Sequence, residues 1–127
     1  NTMKSIAIVG ASSDRKKYGN KAVRAFVKGG WKVFPVNKSG GTIEGLDVFK
    51  SLDEIQEKID RVSMYLPPSL GIGLLEEVVR KMPCEFYLNP GSESEALIAQ
   101  AKAVGLQPVQ ACSIVNIGLR PDMFPDE

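Results

Sequence analysis

The run Ser5-Ile6-Ala7-Ile8-Val9 is small or apolar throughout and stops abruptly at Gly10-Ala11-Ser12. An extended chain sends alternate side chains to opposite faces, so a run without polar alternation has to be buried on both. A sheet covered by helices on its two faces supplies that environment. Helix-compatible sequence resumes near Gly19-Asn20-Lys21. The pattern therefore predicts a buried strand, a tight loop of small residues and a helix start. In open α/β sheets such a junction brings backbone N–H groups and a positive helix end to a phosphate, which implies a nucleotide-like ligand.

Strand-like runs, most of them apolar throughout rather than alternating, recur at Lys32–Val36, Arg61–Leu66, Glu85–Leu88 and Leu106–Gln110, with a further short strand expected within Gly45–Phe49. Helical spacing is read between them. Asn20–Lys28 sets Val23, Phe26 and Val27 on one stripe, and Ser69–Lys81 sets Leu70, Leu74, Val78 and Met82 on another. Ser92–Val104 opens on Ser92-Glu93-Ser94-Glu95, with acids in its first turn, and closes at Gly105. Ser51-Leu52-Asp53-Glu54 reads as the capped start of a short helix through Lys58.

This alternation predicts an α/β doubly wound, mainly parallel sheet of five to six strands. Residues 1–127 are expected to form a single domain, with an irregular C-terminal tail over about 115–127. Right-handed crossovers put Arg61–Leu66 beside the first strand, opposite the second. The ligand cleft of such a sheet lies at that reversal, lined by the loops at the strand ends: Gly10-Ala11-Ser12, Asn37-Lys38, Pro67-Pro68 and Asn89-Pro90-Gly91.

Composition removes several function classes. Sixteen basic and fifteen acidic residues leave a net charge of +1, too little to recruit nucleic acid or an acidic membrane electrostatically. No apolar run approaches the roughly 20 residues of a membrane-spanning helix. The chain has no histidine, which removes the commonest general base and metal ligand together with every Ser-His or Cys-His nucleophile. Cys84 and Cys112 form no CxxC pair, so neither a disulfide framework nor a thiolate metal site is expected. These features fit a cytoplasmic protein with no metal and no catalytic residues.

The loops refine the ligand. Gly10-Ala11-Ser12-Ser13 lets a ligand approach the backbone and offers serine hydroxyls, yet it is neither G-x-G-x-x-G nor a phosphate-binding P-loop. The same small residues also suit a turn required only for packing. An NAD site calls for an acid at the end of the second strand, where this chain has Val36-Asn37-Lys38. A cation there suits a phosphorylated ribose, as in NADP or coenzyme A, although a lone loop lysine is equally read as simply solvated. Arg15-Lys16-Lys17 is read as a cap for a pyrophosphate or as a solvated face. Pro67-Pro68 and Pro90-Gly91 read as rigid cleft walls or as stops that set the next helices. Cys112 reads as a small packing residue, with a redox role as the alternative.

The ordered set Ile8-Val9-Gly10-Ala11-Ser12, Lys17-Tyr18-Gly19-Asn20-Lys21, Val33-Phe34-Pro35-Val36-Asn37, Ile43-Glu44-Gly45, Leu66-Pro67-Pro68, Asn89-Pro90-Gly91 and Ala111-Cys112 resembles the small stand-alone CoA-binding domain family. It is also similar to the CoA-binding N-terminal domain of the succinyl-CoA synthetase α subunit. The resemblance runs from Lys4 to about Ile114. It implies a three-layer Rossmann-like fold that binds coenzyme A or acyl-CoA without chemistry, as sensor, carrier or regulatory module. It further implies that Gly10, Ala11, Ser12 and Ser13 hold phosphates and that Lys38 contacts CoA. Leu66, Pro67 and Pro68, with Leu88, Asn89 and Pro90, would line the adenine and pantetheine side. The synthetase's phosphorylated histidine has no counterpart, which argues against ligase chemistry by this chain alone. The alternatives are an NADP-binding oxidoreductase-like protein and an interaction protein with a vestigial nucleotide cleft. A homodimer or a protein partner stays open, with the sheet edges and the tail as candidate surfaces.

Overall fold

The computed structural model describes residues 3–127. Its main sheet joins β1 (Ser5–Val9), β2 (Lys32–Val36), β5 (Arg61–Met64), β6 (Glu85–Leu88) and β7 (Pro108–Gln110) in the order β2-β1-β5-β6-β7. All of its pairings are parallel. β3 (Thr42–Ile43) and β4 (Leu46–Asp47) form a separate antiparallel hairpin. The β1 register sets Val9 opposite both Val36 and Met64, so these three strands end level. The chain moves outward from β1 to β2, then crosses back to β5 on the other side of β1. That reversal is the switch point expected from the sequence, and it opens a crevice above Val9.

Alternation within each strand divides the core. Ala7, Val9, Val62, Met64, Phe86 and Leu88 face one side and meet Leu52, Ile55, Ile59, Leu75, Val78 and Leu97. Ile6 and Ile8 face the other side and meet Ala22, Val23, Ala25 and Phe26 of α1 (Tyr18–Lys28), with Ile114 and Phe124. Burying an aliphatic side chain as fully as Ile6 or Ile8 contributes about 2–3 kcal/mol. Among the described residues, no helix is long and apolar enough to cross a membrane.

Several boundaries differ from those expected. The helix predicted over Ser69–Lys81 is broken into α2 (Pro68–Gly71), a 3-10 turn (Ile72–Leu74) and α3 (Leu75–Lys81). Gly71 presses against the core, where an added Cβ would stand 3.2 Å from Leu97 Cδ1, and Gly71 and Gly73 favour helix only weakly. Met82 is no part of a buried stripe: it is 81% exposed and ends α3 in the left-handed conformation, φ 49°. Val27 is also exposed, whereas Val23 and Phe26 are buried.

α1 begins at Tyr18 rather than Asn20. α4 (Glu95–Ala103) begins later than Ser92, because Ser94 is the true cap and its Oγ accepts from Leu97 N at 3.1 Å. The helix expected over 51–58 is a single 3-10 turn, Leu52–Glu54, where the Glu54 carboxylate accepts from Lys50 N. Of Gly45–Phe49, only Leu46–Asp47 is strand, and Phe49 makes one isolated bridge to Val36. The strand expected to run to Leu66 ends at Met64, and the one expected from Leu106 begins at Pro108. The tail is more ordered than expected. α5 (Ser113–Asn116) and a 3-10 turn over Pro121–Met123 lead to Phe124, which is buried against the α1 side of the core.

Candidate functional site

β1 hands directly into the loop Gly10–Lys17, and the structure shows why small residues stand there. Gly10 has φ +91°, and a Cβ on it would meet the Tyr65 backbone at 3.0 Å. Gly10 N and Ala11 N both donate to Val36 O, at 3.1 and 3.2 Å. These two N–H groups are spent on closing the loop over β2 and are not available to a phosphate. The free donors lie further along. Ser12 N and the first two amides of α1, at Tyr18 and Gly19, take no acceptor among the described residues.

Two asparagines hold this loop. Asn37 Nδ2 donates to Ala11 O at 2.8 Å, and its Oδ1 accepts from Ser39 N. Asn20 is fully buried. Its Nδ2 donates to Ser12 O at 2.9 Å and to Glu44 Oε2 at 3.0 Å, and its Oδ1 accepts from Arg24 Nε at 2.8 Å. Glu44 sits at the tip of the β3–β4 hairpin with φ 50°. The same carboxylate oxygen lies 3.4 Å from Arg15 Nε, an ion pair without hydrogen-bond geometry. The hairpin is thereby tied beneath the loop.

Two adjoining clefts open at the ends of β1, β2 and β5, and both are bordered by Gly10, Asn37 and Leu66. The larger, about 490 Å³, runs past Ala11, Ser12, Lys17, Tyr18 and Gly19 to Tyr65, Pro67, Pro90, Gly91 and Ser92. The smaller, about 270 Å³, is a chamber with mostly apolar walls: Val9, Val36, Leu52, Leu66, Leu70 and Leu74. Lys38 and Lys50 border this chamber, and Ser51 and Glu77 add polar groups. Among the described residues, Lys17, Lys38 and Lys50 have no carboxylate partner within ion-pair distance. No group of three or more metal-ligating side chains occurs among the described residues.

Most of the residues expected from the sequence are brought together: Gly10, Ala11, Ser12, Lys17, Asn37, Lys38, Leu66, Pro67, Pro90 and Gly91 line one cleft or the other. Four do not. Ser13 is exposed away from both, and Pro68 is the first residue of α2, where a proline starts a helix without losing a hydrogen bond. Leu88 is buried in the core. Asn89 is 2% exposed and has its amide committed inside the protein: Nδ2 donates to Ser63 Oγ at 2.8 Å and to Met64 O at 2.9 Å, while Oδ1 accepts from Ser113 N at 2.8 Å. It braces β5, β6 and α5 against one another.

Lys50 and Glu77 carry no signal in the sequence, because their approach depends on tertiary docking. Phe49 N donates to Pro35 O and Asn37 N to Phe49 O, which lays residue 50 beside the end of β2. Tyr65 borders the larger cleft, but its hydroxyl is sealed from solvent and has no hydrogen-bond partner among the described residues. Burial pushes its pKa well above the ordinary tyrosine value.

A parallel sheet with a glycine loop, a helix start and two joined clefts at its switch point defines a Rossmann-like nucleotide-binding domain. Within that class the chain belongs to the CoA-binding domain family, whose model matches residues 4–118. Curated relatives include the α subunit of acetate–CoA ligase [ADP-forming] I from Pyrococcus furiosus, 33% identical over 84 residues, which are 61% of this chain and 18% of that protein. The acetate–CoA ligase [ADP-forming] of Methanocaldococcus jannaschii is 30% identical over 78 residues, 61% of this chain and 11% of that protein. The chain thus spans less than a fifth of the length of either. Among solved structures, a conserved hypothetical protein from Pyrococcus furiosus superposes with a TM-score of 0.81 at 30% identity, covering 90% of this chain and 99% of that one. A dinucleotide-forming acetyl-coenzyme A synthetase of Candidatus Korarchaeum cryptofilum has the same fold, with a TM-score of 0.73 at 23% identity over 85% of this chain and 25% of that one.

Proposed function

We propose that this protein binds coenzyme A, free or acylated, across the two joined clefts and does not itself transform it. The observation that carries the reading is the order of environments around Gly10. An apolar chamber suits adenine, and Lys38 and Lys50 at its border suit a ribose phosphate. Beyond Gly10, the free amides of Ser12, Tyr18 and Gly19 and the Lys17 ammonium suit a pyrophosphate. The Tyr65, Pro67 and Pro90 side of the larger cleft then suits the pantetheine arm.

The non-catalytic part rests on the residues present. There is no histidine in the chain, and no paired carboxylates flank either cleft. Binding without chemistry leads to a sensor, carrier or regulatory role. NADP also carries a ribose phosphate and is the competing ligand.

Calorimetric titration with CoA, dephospho-CoA, NADPH and NAD tests the reading. CoA binding well above dephospho-CoA is expected. NADPH binding without CoA binding, or no binding of any of the four, would overturn it.

A further inference from the structure

The smaller chamber contains one anionic group, and its placement has a consequence for the base. Glu77, the third residue of α3, borders the chamber beside Leu70 and Leu74. Its Oε1 is fixed by the N–H of Leu52, at 3.0 Å, on the chamber wall. Among the described residues its other oxygen takes no hydrogen bond, and no cation pairs with it. Arg80, one turn further along α3, is instead held by Asp53 through hydrogen bonds of 3.1 and 2.8 Å. A carboxylate is thus anchored through one oxygen at the edge of an apolar space, with acceptor capacity to spare.

We propose that Glu77 reads the base, selecting a purine with an exocyclic amine over one with a carbonyl at the same position. The inference rests on adenine occupying this chamber, as proposed for CoA binding. An ionised carboxylate accepts hydrogen bonds and donates none. The exocyclic amine of adenine carries two N–H donors and satisfies it. A carbonyl there, as in hypoxanthine or guanine, offers only lone pairs and sets two acceptors against each other out of water; the N–H these bases gain at ring N1 is directed away from the exocyclic position. Sites built to bond a particular polar group reject the analogue lacking it far more strongly than apolar pockets reject a change of shape. The walls of Val9, Val36, Leu52 and Leu66 accept any flat ring; Glu77 supplies the discrimination.

The test is the ratio of dissociation constants for CoA and deamino-CoA, in which a carbonyl replaces the exocyclic amine, measured calorimetrically within each protein. The unaltered protein is expected to prefer CoA by about tenfold or more. Glu77→Gln keeps an acceptor for Leu52 N and presents a donor to the base, so the preference should shrink below about threefold or reverse. Glu77→Met removes the acceptor and should abolish the preference without reversing it. Because each ratio is taken within one protein, a general loss of stability does not mimic the effect. Equal affinity of the unaltered protein for both ligands overturns the inference, as does a preference unchanged in the variants; CoA binding itself then still stands. Failure of the folded protein to bind CoA at all overturns both readings together.

Discussion

A Cβ placed on Gly19 would stand 2.2 Å from the carbonyl oxygen of Gly10. The start of α1 is therefore packed on the end of β1 at a distance that only glycine allows. This contact brings the free amides of Tyr18 and Gly19 to the mouth of the larger cleft. Gly19 acts through packing, at the point where packing and ligand access coincide.

Gly19→Ala should consequently damage stability and binding together. The clash is with backbone, which cannot swing aside, so about 3 kcal/mol of destabilisation is expected, toward the upper end for overpacking. Urea unfolding measures it, and the temperature midpoint should fall by about 10 °C. A variant as stable as the parent would show that α1 can shift outward at little cost.

Lys38→Ala and Lys50→Ala should each weaken CoA roughly tenfold and leave dephospho-CoA nearly unchanged, since both lysines border the same chamber without carboxylate partners among the described residues. The double variant reports whether they share one phosphate: losses that fail to add indicate a common partner. Equal losses for CoA and dephospho-CoA would assign the lysines to some other part of the ligand.

Asn89 separates a structural role from a ligand contact. Its side chain makes three buried hydrogen bonds, so Asn89→Ala should cost about 3 kcal/mol in denaturant unfolding. CoA affinity, measured where the variant is still folded, should change less than about threefold. A large loss of affinity with little loss of stability would return Asn89 to the cleft wall.

The sheet is legible in the sequence because strands such as Ile6–Val9 and Phe86–Leu88 are buried on both faces and carry no charged or amide residues to confuse the pattern. The loops at the strand ends follow from topology, which is why Gly10, Asn37, Lys38, Pro67 and Pro90, expected from it, line the clefts. The break in the helix expected over Ser69–Lys81 is hidden because the apolar spacing of Leu70, Leu74 and Val78 outweighs the weak helix propensity of Gly71 and Gly73. Lys50 and Glu77 were hidden for another reason. Residue 50 reaches the site only when Phe49 docks beside β2, and Glu77 only when α3 packs over Leu52, contacts between segments that no local pattern encodes. Asn89 and Leu88 show the converse: residues at the end of a strand can turn inward, Leu88 into the apolar core and Asn89 to spend its amide on the scaffold.

Tyr65 gives a prediction with a defined pH window. Its hydroxyl is buried and unpartnered, so Tyr65→Phe should stabilise the protein at neutral pH by about 1 kcal/mol, removing a desolvated polar group while keeping the ring. Burial raises the folded pKa above the ordinary value of 10.0. The folded state therefore holds the phenolic proton more tightly than the unfolded chain does. That contribution is fully present below pH about 10 and is lost as pH rises from there through the folded value, at up to about 1.4 kcal/mol per pH unit. Urea midpoints measured from pH 8 to pH 11 should fall more gently for Tyr65→Phe than for the parent. Parallel alkaline limbs would mean that the phenol ionises in the folded protein as it does in the unfolded chain, and lower stability of the variant at pH 7 would mean that the hydroxyl has a partner in solution.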